Sequence, residues 1–277
     1  MKKWVIVIIL VLLGLCAWYL FNLQQDTVPE APAPPPVAVE QPAPPPVVEE
    51  ETAEPDFTSP IVDEEPAIEA PALPPLAESD PVAVETLSSL VGSEPVRQYV
   101  VSEAVIPRLV ATLDALSGKQ VPAAIKAVEG PAGTFQATAN DDAASVIRNA
   151  AGDPIPQYVV DPVNYRRYTP YVEMLEAADT AALVASYRDH RPLFEEAFRQ
   201  LGYPEGDFDQ RLRALIDELL ATPDVSGTVR LIKPEAYYLY ADEELESLAA
   251  GQKILLRMGP DNAARVKARL VAIRDAL

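Results

Sequence analysis

The chain has 277 residues, a formal charge of −20, 29 prolines, one cysteine and one histidine. So strong an acidic excess, with no basic stripe, excludes a nucleic-acid footprint, and a single histidine, His190, excludes multi-histidine zinc sites. The prolines cluster near the front, so much of the length builds no core and one folded domain is expected.

The first 23 residues read as a transmembrane signal anchor. Lys2 and Lys3 precede an uncharged run from Trp4 to Phe21, which as a helix spans roughly 27 Å, close to the hydrocarbon thickness of a bilayer. Trp4 at one end, and Trp18 with Tyr19 at the other, suit the two membrane interfaces. Signal cleavage requires small residues in an A-x-A-like arrangement, whereas Leu15 and Ala17 hold those positions and bulky residues follow. Cys16 is an apolar filler, because in the segment Leu13, Gly14, Leu15, Cys16 a leucine stands directly before the cysteine, where lipidation needs a small residue. Lys2 and Lys3 place the N-terminus in the cytoplasm, and no further Lys or Arg occurs before Arg97. The expected location is the cell inner membrane, single-pass, with everything after the anchor periplasmic. The exported part has no cysteine and needs no disulfide.

Residues 24–78 read as a disordered, acidic, proline-rich linker. The stretch from 24 to 80 holds 15 prolines and 14 acidic residues, no Lys or Arg, and PAPPPV twice, at 32–37 and 42–47. Such a composition buries too little apolar surface to offset its ordering entropy. Polyproline II at about 3.1 Å per residue gives a reach on the order of 150 Å.

Residues 79–277 are expected to form a soluble, mainly α domain: several helices with a few short strands and a small hairpin. Asp80 and Pro81 read as the cap and first position of a helix with Val84, Leu87, Leu90 and Val91 on its apolar side, ended by Gly92. The next helix is expected from Arg97 to Leu116, with Val101, Ile106, Leu109, Val110, Leu113 and Leu116 inward, Pro107 as a kink and Gly118 as the stop. Residues 119–165 read as loops with two strand candidates, TFQAT from Thr134 and IPQYVV from Ile155. Asp161-Pro162 marks a turn and Thr169-Pro170 a helix start. Leu183, Val184, Tyr187, Phe194, Ala197, Phe198 and Leu201 keep helical spacing across Pro192, up to Gly202. Asp207 then caps a helix carrying Phe208, Leu212, Leu215 and Leu219, with Gln210 as its capping-box partner. A hairpin-like pair, GTVRLIKP from Gly227 and EAYYLYAD from Glu235, precedes the last two helices. Leu245, Leu248, Ala249, Leu255 and Leu256 form one stripe; Ala263, Val266, Leu270, Ile273 and Leu277 form the other, beyond Gly259-Pro260. Arg265, Lys267, Arg269 and Arg274 on the last helix suit a solvated face near a helix C-terminus, with an anionic-lipid surface as the sharper alternative.

Catalytic patterns are scarce. The exported part offers no Cys/His pair, and a Ser-His-Asp triad would need His190 without any G-x-S-x-G. Paired carboxylates among Glu195, Glu196, Asp207 and Asp209 are the remaining option, as glycan hydrolysis of peptidoglycan requires one protonated and one charged acid. With 42 acidic residues, adjacent carboxylates also arise by chance. No metal ligand set and no cofactor motif is present. Two aromatic groups form the candidate binding residues: Tyr165, Arg166, Arg167, Tyr168 and Tyr171, and then Tyr237, Tyr238 and Tyr240. Tyrosine and arginine are favoured at binding hot spots, and tyrosine rings stack on sugars. The competing reading packs these rings into the core and pairs the arginines with acids.

Four segments carry a resemblance: LPPLAESD at 73–80, NYRRYTPY at 164–171, RPLFEEAFRQLGYPEGDF at 191–208 and AAGQKILLRMGPDNA at 249–263. Over roughly residues 73 to 277 the chain resembles a family of proteobacterial envelope proteins, the domain-of-unknown-function family number three thousand and fourteen. The resemblance implies an apolar start, a variable tether and this domain, and it brings no activity and no assigned site. The expected role is a non-catalytic tethered module binding an envelope protein or peptidoglycan, with a wall-acting hydrolase as the alternative.

Overall fold

The computed structural model describes residues 73–140, 146–149, 151–225, 227–234 and 237–277. The anchor of residues 4–21 and almost all of the linker lie outside the described residues. Among those that are described, no helix is long and apolar enough to cross a membrane.

The body is mainly helical. After a short 3-10 turn at Leu76–Glu78 come α1 (Asp80–Val91), α2 (Ser93–Tyr99) and α3 (Val105–Leu116). Two short strands follow, β1 (Ala137–Ala139) and β2 (Gln157–Val160), then α4 (Val163–Arg166), α5 (Thr169–Ala177), α6 (Thr180–Gln200) and α7 (Phe208–Leu220). The chain ends with β3 (Arg230–Ile232), β4 (Leu239–Tyr240), α8 (Glu243–Ser247), α9 (Ala250–Arg257) and α10 (Pro260–Ala276). The long helices surround α3, whose Val105, Ile106, Leu109, Val110, Leu113 and Leu116 are all buried. It packs against α1, α6, α7 and α9, while α10 closes the other side over α5, α6 and α7. Phe194, Phe208 and Tyr187 fill the space between α6 and α7, the first two stacked with centroids 5.7 Å apart.

Two expectations about the first helices are corrected. Asp80 does not cap its own helix; its carboxylate accepts the Ala104 and Val105 N–H groups, each at 2.8 Å, and so caps α3 from outside. That contact holds Ala104 in a left-handed conformation (φ 50) which alanine otherwise avoids. The single helix expected from Arg97 to Leu116 is two, because the β-branched pair Val100-Val101 leaves the helix to bond a loop segment that runs antiparallel to it. Val101 N–H donates to Ala127 O at 3.0 Å and Glu129 N–H to Tyr99 O at 2.7 Å. Pro107 therefore falls in the first turn of α3, where its missing N–H costs nothing, instead of kinking a longer helix.

The four strands form one antiparallel sheet in the order β1-β2-β3-β4. The hairpin-like pair is β3 with β4, and both strand candidates of the middle region join it, the first shifted from Thr134 to begin at Ala137. Val160, Val229, Leu231 and Tyr240 form a small second core beneath the sheet. The capping by Asp207 is as expected, its carboxylate accepting Gln210 N–H at 3.1 Å, and α6 runs unbroken through Pro192.

Candidate functional site

The NYRRYTPY segment joins the sheet region to the helices. Asn164 is fully buried, and its side-chain amide donates to Gln136 O and Asp161 O, each at 2.7 Å, while accepting Gln136 N–H. Arg167 reaches along the 131–134 loop: Nη2 donates to Pro131 O and Gly133 O at 3.0 and 2.6 Å, Nε to Ala132 O at 2.9 Å and Nη1 to Thr134 O at 3.2 Å. A planar fork with several donors can hold a run of carbonyls in this way, and an ammonium cannot. Burial lowers the pKa of this guanidinium from its ordinary value.

Tyr168 and Tyr171 are 1 % and 2 % exposed and belong to the main core. Tyr171 stacks obliquely on Tyr99 with centroids 4.8 Å apart, and its hydroxyl donates to Glu129 O at 3.3 Å. Tyr165 is half-buried over Gly259 and lines a cleft of about 400 Å³ with Val225, Val229, Leu256 and Lys267. Arg166 alone of this group is exposed. The motif is thus a clasp holding the 129–136 loop to the body, and its two most buried tyrosines offer no surface.

The second aromatic group divides. Tyr240 is 3 % exposed, its hydroxyl donating to Lys253 O at 3.2 Å beneath Arg257. Tyr237 is 39 % exposed. Beside it in sequence, Tyr238 meets Tyr158 edge-on at 5.0 Å, Phe135 at 5.6 Å and the Lys233 ammonium at 5.2 Å. Phe135, Tyr158 and Tyr238 are only partly buried, so these three rings give the sheet an aromatic patch with one cation, and exposed Tyr237 precedes Tyr238 in the chain. Phe135 and Tyr158 were not singled out from the sequence. Only the register that sets Tyr158 opposite Leu231, two positions from Lys233, shows that these rings gather.

The carboxylates expected of a hydrolase each hold a structural contact. Asp209 and Glu195 share the Arg191 guanidinium, at 3.0 and 3.5 Å. Glu195 also accepts Phe208 N–H at 3.2 Å, Asp209 accepts the Tyr187 hydroxyl, Asp207 caps α7, and Glu196 accepts the Gln200 amide. A catalytic acid that must stay protonated sits in an apolar pocket, and none of these four does. His190 Nδ1 lies 2.9 Å from Ser186 O within its own helix. No cluster of metal-ligating side chains occurs among the described residues. The cations of α10 are engaged within the body: Arg265 with Glu176, Lys267 with Asp224 and Thr222 O, Arg269 with Ala178 O and Arg274 with Asp217. A lipid-headgroup surface would have to break those contacts.

Two of the buried phenols set an alkaline limit on stability. Burial, with Asp209 adding to it, pushes the Tyr187 phenol up, and burial followed by Tyr99 and Glu129 does the same to Tyr171. In the unfolded chain tyrosine ionises near about pH 10, so above that pH the folded state keeps protons the unfolded state has lost. Stability from both groups is whole below about pH 10 and declines as the pH rises further. The urea midpoint is expected to fall between about pH 9 and pH 11, and Tyr187→Phe, which cannot ionise, should reduce the fall.

A family model described as "Protein of unknown function (DUF3014)" matches residues 105–274. No curated protein and no solved structure matches the chain.

Proposed function

The chain belongs to the DUF3014 family, and on that premise we propose that it is a non-catalytic module, tethered to the inner membrane and facing the periplasm, that binds an envelope protein or a cell-wall component. The anchor-like start, the acidic proline-rich linker and the absence of cysteine after Cys16 support the location. The observation that carries the binding reading is the aromatic patch of Tyr238, Tyr158 and Phe135 at the sheet, with Lys233 against it and exposed Tyr237 next to Tyr238 in the chain. Rings that are partly desolvated, mutually braced and still accessible lose little entropy on contact with a partner. Of the carboxylates that a hydrolase would use, Glu195 and Asp209 hold α6 to α7, Asp207 caps α7 and Glu196 accepts Gln200 within α6.

A photo-crosslinking residue at Tyr237 in intact cells is expected to give a discrete adduct, with protein or with wall material, that the same probe at exposed Glu85 on α1 does not. In parallel, the purified full chain in detergent micelles is expected to release no soluble fragments from peptidoglycan. Fragment release, or identical adducts from both positions, would contradict the proposal.

A further inference from the structure

The two edges of the sheet are finished differently. At β4, Ala241 N–H donates to Arg230 O at 3.0 Å, which turns the backbone N–H of Tyr240 away from β3, where Glu246 Oε2 accepts it at 2.9 Å. That edge is sealed by α8. At β1, Asn140 N–H donates to Gln157 O at 2.9 Å and Asp161 N–H to Gln136 O at 3.2 Å. In an antiparallel ladder this alternation directs residues 136, 138 and 140 inward and turns the N–H and C=O groups of Ala137 and Ala139 away from β2. No backbone group of Ala137 or Ala139 has a partner on that outer side among the described residues. Ala137, Thr138 and Ala139 carry no lysine, proline or bulge, and Thr138 and Ala139 are exposed, so the shortness of the strand is the one guard this edge has.

We infer that the β1 edge is a strand-addition site for an extended segment of a partner polypeptide with apolar side chains at alternate positions. The inference rests on the binding reading above and names the partner class. Main-chain bonding to Ala137 and Ala139 supplies register, and side-chain preference comes from what lies next to them. Ala139 is opposite Tyr158 and Ala137 opposite Val160 in the register, so two methyl groups form a shallow floor bordered by the rings of Tyr158 and its neighbour Tyr238. Alternate apolar side chains of an added strand would settle on that floor. A second copy of the chain is a poorer occupant, since a three-residue edge falls far short of the roughly 800 Å² per partner that stable self-association buries.

The test uses the full chain in detergent micelles and a peptide of about ten residues alternating Val and Thr between terminal lysines, with a scrambled, proline-interrupted peptide as control. The alternating peptide is expected to bind and to slow amide exchange at Ala137 and Ala139 by about tenfold or more, the control doing neither. Ala139→Pro deletes one outward donor at an edge position where proline is tolerated. It is expected to weaken binding about tenfold or more with an unchanged melting temperature. Should it lower the melting temperature, Ala137→Lys with Ala139→Lys replaces it, with the same expectation. Unchanged exchange at the two alanines, full-strength binding by the edge variants, or protection that grows with chain concentration in the absence of peptide would each overturn the inference. Binding that Tyr238→Ala removes while the alanine amides exchange freely would retain the aromatic patch and discard the edge.

Discussion

Replacing Tyr168 by alanine is expected to cost about 3–5 kcal/mol of stability, in the range of large aromatic truncations in packed cores. At about 2–4 °C per kcal/mol for a domain of this size, the melting temperature should fall by roughly 6–20 °C. The cost follows from position. Tyr168 lies between α4 and α5, is 1 % exposed, and is among the largest fully buried side chains of the body. Its neighbour Arg167 binds the 131–134 carbonyls, so a cavity at Tyr168 also loosens the clasp that positions β1. Tyr168→Phe conserves the volume and should cost under about 1.5 kcal/mol. Thermal melts of the three chains followed by circular dichroism read the difference. If Tyr168→Ala melts with the parent, the motif is a surface after all and the assignment of the clasp fails.

Gly259→Ala should be the second most damaging single change, at about 3 kcal/mol, combining a left-handed backbone penalty of about 1–2 kcal/mol with an overpacking cost of about 1–3 kcal/mol. Gly259 has φ 84 and is the N-cap of α10, a conformation that glycine adopts freely and alanine resists. A Cβ there would also stand 2.5 to 2.8 Å from three ring atoms of Tyr165. The closest of these atoms is Cγ, at the root of the ring, so relief requires the whole side chain or its backbone to shift, and the Tyr165 carbonyl, which accepts the Asn262 amide at 2.9 Å, ties that backbone to α10. Adding Tyr165→Ala removes the clash and leaves the backbone strain. The double variant should therefore lose less stability than the sum of the two single losses, by about 1 kcal/mol or more of coupling. Denaturant midpoints of the four chains measure this; simple additivity would mean the ring and the glycine are not in contact.

Much of the helical framework was legible because a buried helix advertises its period. The stripes in α6, α7 and α10 and the Asp207 cap depend on residues near one another in sequence, and the structure places them as expected except for Leu201, which follows the last residue of α6 and is 41 % exposed. The failures come from partners far apart in the chain. Asp80 carries every local mark of an N-cap, yet it serves residues 104 and 105, a pairing that only tertiary packing creates. The helical pattern continues across Val100 and Val101, but hydrogen bonds to 127–129 outweigh it there. The Arg167 clasp illustrates the same limit on reading sites. Arginine flanked by tyrosines has the composition of a hot spot, and nothing in sequence reveals that a loop 33 to 36 residues away supplies the carbonyls. In the aromatic patch, Tyr237 and Tyr238 were visible as a cluster, whereas Phe135 and Tyr158 needed the strand register to join them.

The claim on which the functional account turns is that recognition occurs at the sheet and not at the clasp or the Arg191 carboxylates. The most direct measurement is the yield of the Tyr237-position crosslink in intact cells carrying Tyr238→Ala. Tyr238 is only partly buried, so its loss should cost about 1 kcal/mol of stability and leave the body folded, while removing a ring that braces the patch. The account predicts that the adduct disappears or falls at least about tenfold in a chain that still accumulates to normal levels. An undiminished adduct would contradict it.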